Sequence, residues 1–196
     1  ADGLSAVLDA AGAQQAARLP GVQWVEPIEL NELFNDVAGG IMNTPSAWTQ
    51  GLDGTGVTVG AADTGLDLTH GDFDGRVAVD DAISYPVLPY TLSSTCWVVN
   101  GGANDGVDDL NSGHGTHVTG SLAGSGFRSG GTFKGMAYNA TITFQAVEQY
   151  TELNPGCTTY SNGFFLTGIP VDAGELLDDA WNMGVRVHNN SWGSPA

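Results

Sequence analysis

The chain has 196 residues, enough for one well-filled domain or a domain with a short appendage, so disulfide or metal staples are not obligatory. With 22 acidic against 5 basic residues its formal net charge is −17, which repels nucleic-acid phosphates and anionic membranes and reads as a solubilising surface. No apolar run approaches the ~20 residues needed to span a bilayer, and the start at Ala1, without an initiator Met or a leader, reads as cut from a longer protein.

In chain order, the Ala-rich stretch Ala6 to Ala17 predicts a helix, and "LPGVQWVEP" a short strand closed by Pro27. "NTPSAWTQG" predicts a second helix with Thr44 as N-cap, Pro45 in its first turn and Gly51 as stop. "GVTVGAADTG" predicts a buried strand, with Val57, Val59 and Ala61 on one face and Gly60 and Ala62 packed closely on the other. Asp63 falls at its C-terminal end. In an open parallel sheet that is where ligands bind, although an Asp there can also cap its own turn.

From His114, "HGTHVTGSLAG" predicts a helix stopped by Gly124, and "NATITFQAV" another strand. Glu148 to Pro170 reads as one long loop rich in Thr, Asn, Gly and aromatics. "DAGELLDDAWNMG" predicts a helix capped by Asp172, with Leu176, Leu177, Ala180 and Met183 as its apolar stripe, and "VRVHNNSWG" supplies a last strand. This alternation argues for an α/β fold with a mostly parallel sheet flanked by helices. Cys96 and Cys157 both lie in loop-like sequence, which leaves a disulfide in an oxidising compartment and two unpaired thiols equally open.

Two of the four histidines, His114 and His117, lie three residues apart. A zinc hydrolase would need a third ligand, and the zinc-protease helix carries its pair four apart with a Glu between, where this chain has only Gly115 and Thr116 between. Proton transfer needs one imidazole oriented by a carboxylate, and Asp63 can provide it. Gly113 and Gly115 would let the backbone turn sharply and present His114 at the helix mouth, with His117 a buried supporting histidine.

"GVTVGAADTGLD", "NSGHGTHVTGSLAG" followed by "GTFKGMAYNA", and "VHNNSWGS" resemble, in order, the Asp motif, the His motif and the substrate-binding strand of subtilisin-like serine proteases. "NDVAGGI" with "NNSWG" further resembles the alkaline, oxidation-resistant branch of that family. The resemblance implies a secreted, extracellular serine endopeptidase with a three-layer α/β fold. It implies Asp63 as the orienting carboxylate and His114 as general base and then acid, in the Asp-before-His order of subtilisin.

It also implies that Ser191, Trp192 and Gly193 lie along an edge strand pairing with a polypeptide substrate. Trp192 would wall a hydrophobic subsite, or else be an ordinary half-buried strand aromatic. Calcium, the family's usual structural ion, would take Asp72. The acidic stretch Asp105, Asp108, Asp109 and Asn111 offers hard oxygens too, but reads as a solvated turn.

"LPGVQWVEP" resembles the closing strand of the inhibitory prosegment, giving residues 1–34 as its remnant and 35–196 as the N-terminal half of the peptidase domain. The family's Gly-Thr-Ser-Met-Ala nucleophile motif does not occur in these residues. The chain is thus expected to be inactive alone, with a C-terminal remainder carrying the serine and the oxyanion-hole Asn as its partner. The alternative is a non-catalytic binding module of the same descent.

Overall fold

A computed structural model describes residues 6–26, 35–84 and 96–193, without the side chains of 35, 36 and 78–84. The chain divides into two units, Ala1–Phe34 and Asn35–Ala196. In the first, helix α1 spans Ala10–Ala16, and Asp9 caps it by accepting from the Gly12 amide. The expected strand over "LPGVQWVEP" is not formed. Residues 22–26 are irregular, Leu19, Val22, Trp24 and Val25 are exposed, and Pro27 lies outside the described residues.

The second unit is built on four parallel strands in the order β2-β4-β1-β7: β1 (Thr58–Asp63), β2 (Val77–Ser84), β4 (Thr141–Ala146) and β7 (Val187–Asn190). The predicted α/β architecture with a parallel sheet is what forms. β1 lies inside, paired with β4 along its whole length and with β7 on the other edge. Its period of two sorts the side chains. Val59 and Ala61 join Ile142, Phe144 and Ala146 in a core shared with Ala123 of helix α4 (His114–Ala123), while Ala62 packs with Val147 and Leu176 on the opposite face. Asp63 continues the parity of Val59 and Ala61, so its side chain falls on the face that α4 covers. Val57 precedes the strand and is exposed rather than part of that face. Gly60 is required by close packing, because a Cβ there would stand 2.6 Å from the His188 ring.

Helices α2 (Asn35–Ile41) and α3 (Thr44–Thr49) precede the sheet. Thr44 is the first residue of α3 rather than its cap; Asn43 occupies the cap position at φ 58°, and the Thr44 hydroxyl faces the Met136 sulfur. Trp48 fixes α3 by donating to the Met136 carbonyl at 3.0 Å and meeting Tyr138 edge-on. Helix α5 (Ala173–Asn182) has Asp172 as its N-cap, accepting from Gly174. Of its predicted stripe, Leu176 and Ala180 are buried, but Leu177 is exposed.

The stretch 148–170 is not a single loop. It contains β5 (Gln149–Leu153) and β6 (Gly163–Phe165), which with β3 (Trp97–Val99) form an antiparallel sheet of order β3-β5-β6. A Cys96–Cys157 disulfide spans its end, so the two cysteines are paired.

Candidate active site

The site is made where the end of β1 meets the start of α4. Asp63 is 1% exposed, and its Oδ1 accepts from His114 Nδ1 at 2.7 Å and from the Thr64 amide at 2.8 Å. A carboxylate can only accept, so Nδ1 carries the proton and Nε2 keeps its lone pair. Half of the His114 side chain remains accessible, at 49%, so that lone pair can meet an incoming group. Asp63 Oδ2 is buried without a partner among the described residues.

Two glycines permit this approach in different ways. Gly113, at φ 70°, is the residue preceding the helix and makes the turn. Gly115 lies within the helix and makes no turn; it is there for contact, since a Cβ would come within 2.2 Å of the Gly65 carbonyl oxygen. His117 is exposed, contrary to the expected buried supporting role.

Sequence reasoning placed Asp109 in a solvated turn and missed its role. Its Oδ1 accepts from the Thr64 hydroxyl at 2.9 Å and the Gly113 amide at 3.0 Å, and its Oδ2 accepts from the Thr116 amide at 2.8 Å. Thr64 Oγ1 in turn accepts from the Gly115 amide at 2.9 Å and from Ser112 Oγ at 3.0 Å. One carboxylate therefore caps α4, whose own N-cap glycine has no side chain to do so, and ties it to the residue after Asp63. The acidic stretch is a clamp rather than a solvated turn: Asp105 and Asp109 are partly buried, Asp108 and Asn111 exposed. The available signal was a carboxylate shortly before a helix that starts on glycine.

Ser191, Trp192 and Gly193 follow β7, which ends at Asn190, rather than extending it. Trp192 donates its indole N–H to the Ala62 carbonyl at 2.9 Å, next to Asp63, while Ser191 is exposed and its Oγ accepts from Asn189. The stretch thus borders the site. Within β7, His188 faces Gln145 Oε1 at 2.7 Å and Asn190 Nδ2 at 3.0 Å, and burial lowers its pKa, which favours the neutral ring.

Asp72 does not meet the others. Its Oδ1 accepts from the Arg128 amide at 2.8 Å, and its backbone oxygen takes Arg76 and Ser125. The Asp72 carboxylate is thus held by the Arg128 amide, and Arg76 is bonded to its backbone oxygen rather than to the carboxylate. Among the described residues no three His, Cys, Asp or Glu side chains come together to hold any metal, which also leaves a His114–His117 zinc centre without support.

Glu148 follows β4 by two residues and is 6% exposed. Burial, and then the charges of Asp105, Asp109 and Asp63, push its carboxyl up to about 7, while His114 pulls the other way.

The model of the subtilase family matches residues 54–196. The chain is 32% identical over 146 residues to the serine protease/ABC transporter B family protein tagD of Dictyostelium discoideum, covering 73% of this chain and 7% of that protein. It is 33% identical over 138 residues to subtilisin-like protease 1 of Trichophyton equinum, covering 64% of this chain and 24% of that one. It is 28% identical over 129 residues to the major intracellular serine protease of Bacillus subtilis, covering 63% and 33%. The chain thus spans a third or less of the length of these relatives.

Proposed function

The chain belongs to the subtilase family, and from that premise we propose that it supplies the Asp-His half of a serine endopeptidase's catalytic triad. The observation that carries this reading is the 2.7 Å contact between buried Asp63 and half-exposed His114, which leaves Nε2 free to take a proton. In this reading His114 removes the proton of a serine hydroxyl as it attacks the peptide carbonyl. It then returns the proton to the leaving amine, while Asp63 holds the ring and balances the imidazolium charge. The serine and an oxyanion donor are assigned to a C-terminal portion of the catalytic domain. Ser191 to Gly193 would receive the polypeptide backbone beside Trp192.

Residues 1–34 are read as the remnant of an inhibitory prosegment, with the peptidase domain from 35. The Cys96–Cys157 disulfide supports an extracellular, secreted setting, since such bonds persist where the surroundings are oxidising. No helix among the described residues is long and apolar enough to cross a membrane.

Joining this chain to a segment bearing Gly-Thr-Ser-Met-Ala is expected to yield peptide hydrolysis that a serine-directed phosphonate and His114→Ala each abolish. A folded joined protein whose activity neither treatment affects would refute the proposal.

A further inference from the structure

Glu148 is a buried carboxyl group that the proposed mechanism does not use. It lies two residues after Ala146, which pairs with Asp63 across β4 and β1. It follows Val147, whose amide donates to the backbone oxygen of Asp63 at 2.9 Å, so its place beside the site is fixed by the same strand pairing that places Asp63. In the loop before α4, Asn104 Oδ1 and Asp105 Oδ1 are buried without partners among the described residues, and Asp105 is one of the charges that act on Glu148. We propose that Glu148 is a positioning residue of the Asp63–His114 pair, adding a negative charge when ionised that favours the imidazolium form of His114.

The charged groups acting on Glu148 are Asp63 from β1, Asp105 and Asp109 from the loop, and His114 from α4; the carboxylates oppose its ionisation and the histidine favours it. Its titration near neutrality follows from this enclosure. Interaction between two titrating groups is mutual: a positive charge on His114 draws the proton off Glu148, and an ionised Glu148 steadies that positive charge. When His114 takes a proton from the nucleophile, a Glu148 already ionised stabilises the step electrostatically, and a protonated one does not. The relay would therefore work best above neutral pH.

This inference rests on the proposed function for its catalytic consequence, but the coupling itself is measurable without catalysis. The carboxyl carbon of Glu148, followed by NMR and assigned through Glu148→Gln, is expected to titrate near 7. His114→Gln should move that midpoint to higher pH and Asp105→Asn to lower pH, each by roughly half a unit or more. A midpoint in the ordinary carboxylate range, or one indifferent to His114→Gln, would overturn the proposal.

In a joined, active protease, Glu148→Gln should lower kcat several-fold at pH 9 with KM unchanged, and move the acidic limb of the rate profile to lower pH. A purely structural role would shift neither. Hydrolysis with superimposable profiles would sink the positioning role and leave the protease reading intact. Absence of hydrolysis would sink the protease reading, while the carboxyl titration would still decide the coupling.

Discussion

The parallel sheet and the antiparallel sheet of the same unit are held by different means. β1 and β4 pair over six residues and bury every side chain after the first, so burial and hydrogen bonding fix them without help. β3, β5 and β6 are three to five residues long, only partly buried, and rely on the Cys96–Cys157 bond across their end. Asp63 stands at the end of the self-sufficient sheet, which suggests why a geometry needing sub-ångström placement is found there. The small sheet borders it with less rigidity of its own, a place suited to varying what the site accepts.

The largest expected effect breaks the first region's chemistry and leaves both sheets standing. In the joined protease, Asp63→Asn or His114→Ala should cut kcat by about 10⁴-fold or more, the scale known for subtilisin itself, the type case of this mechanism. Circular dichroism should be unchanged.

Removing the disulfide attacks the other region. The bond closes a loop of sequence separation 61, so Cys96→Ser with Cys157→Ser should cost about 4 kcal/mol in denaturant unfolding. If β1 and β4 need no clamp, hydrogen exchange should rise first in β3, β5 and β6.

Glu148→Gln sharpens the contrast through pH. The folded-state pKa of Glu148 is raised from 4.5 to about 7, so the stability linked to its protonated form is present below pH 4.5 and is lost as pH rises towards 7. Replacing it should therefore stabilise the fold at pH 8 relative to pH 5, by up to about 3 kcal/mol in urea titrations. Gly115→Ala, which forces α4 away from Gly65, should destabilise by about 2 kcal/mol and lower kcat more than it raises KM. Asp109→Asn should cost about 1 kcal/mol, with exchange increasing at the amides of Gly113 and Thr116.

The sequence made β1 legible because it is a run of small and apolar residues ended by Asp63, whereas β2, with Asp80 and Asp81 inside it, gave no such run and was not predicted. The pairing of Asp63 with His114 was legible for a chemical reason: a carboxylate at a strand end and an imidazole at a glycine-flanked helix start are unusual places for either residue. The small sheet was not legible. Gln149–Leu153 is five residues long without a sustained polar-apolar alternation, and one of its partners, β3, lies beyond the intervening α4 and β4. His117 misled because proximity in sequence to His114 does not imply a shared environment. Asp109 was obscured by the neighbouring Asp105 and Asp108, whose company made the stretch look like an ordinary acidic surface. "LPGVQWVEP" has strand composition, yet its described residues 22–26 are irregular, since whether such a run pairs is a tertiary matter that no local pattern contains.

The rate of covalent labelling by a serine-directed phosphonate, compared between the joined protein and its His114→Ala variant, tests the central claim most directly. A proton relay through Asp63 and His114 predicts rapid labelling of one serine, and a fall of roughly 10³-fold or more in the variant. Labelling at the same rate in both proteins would contradict it.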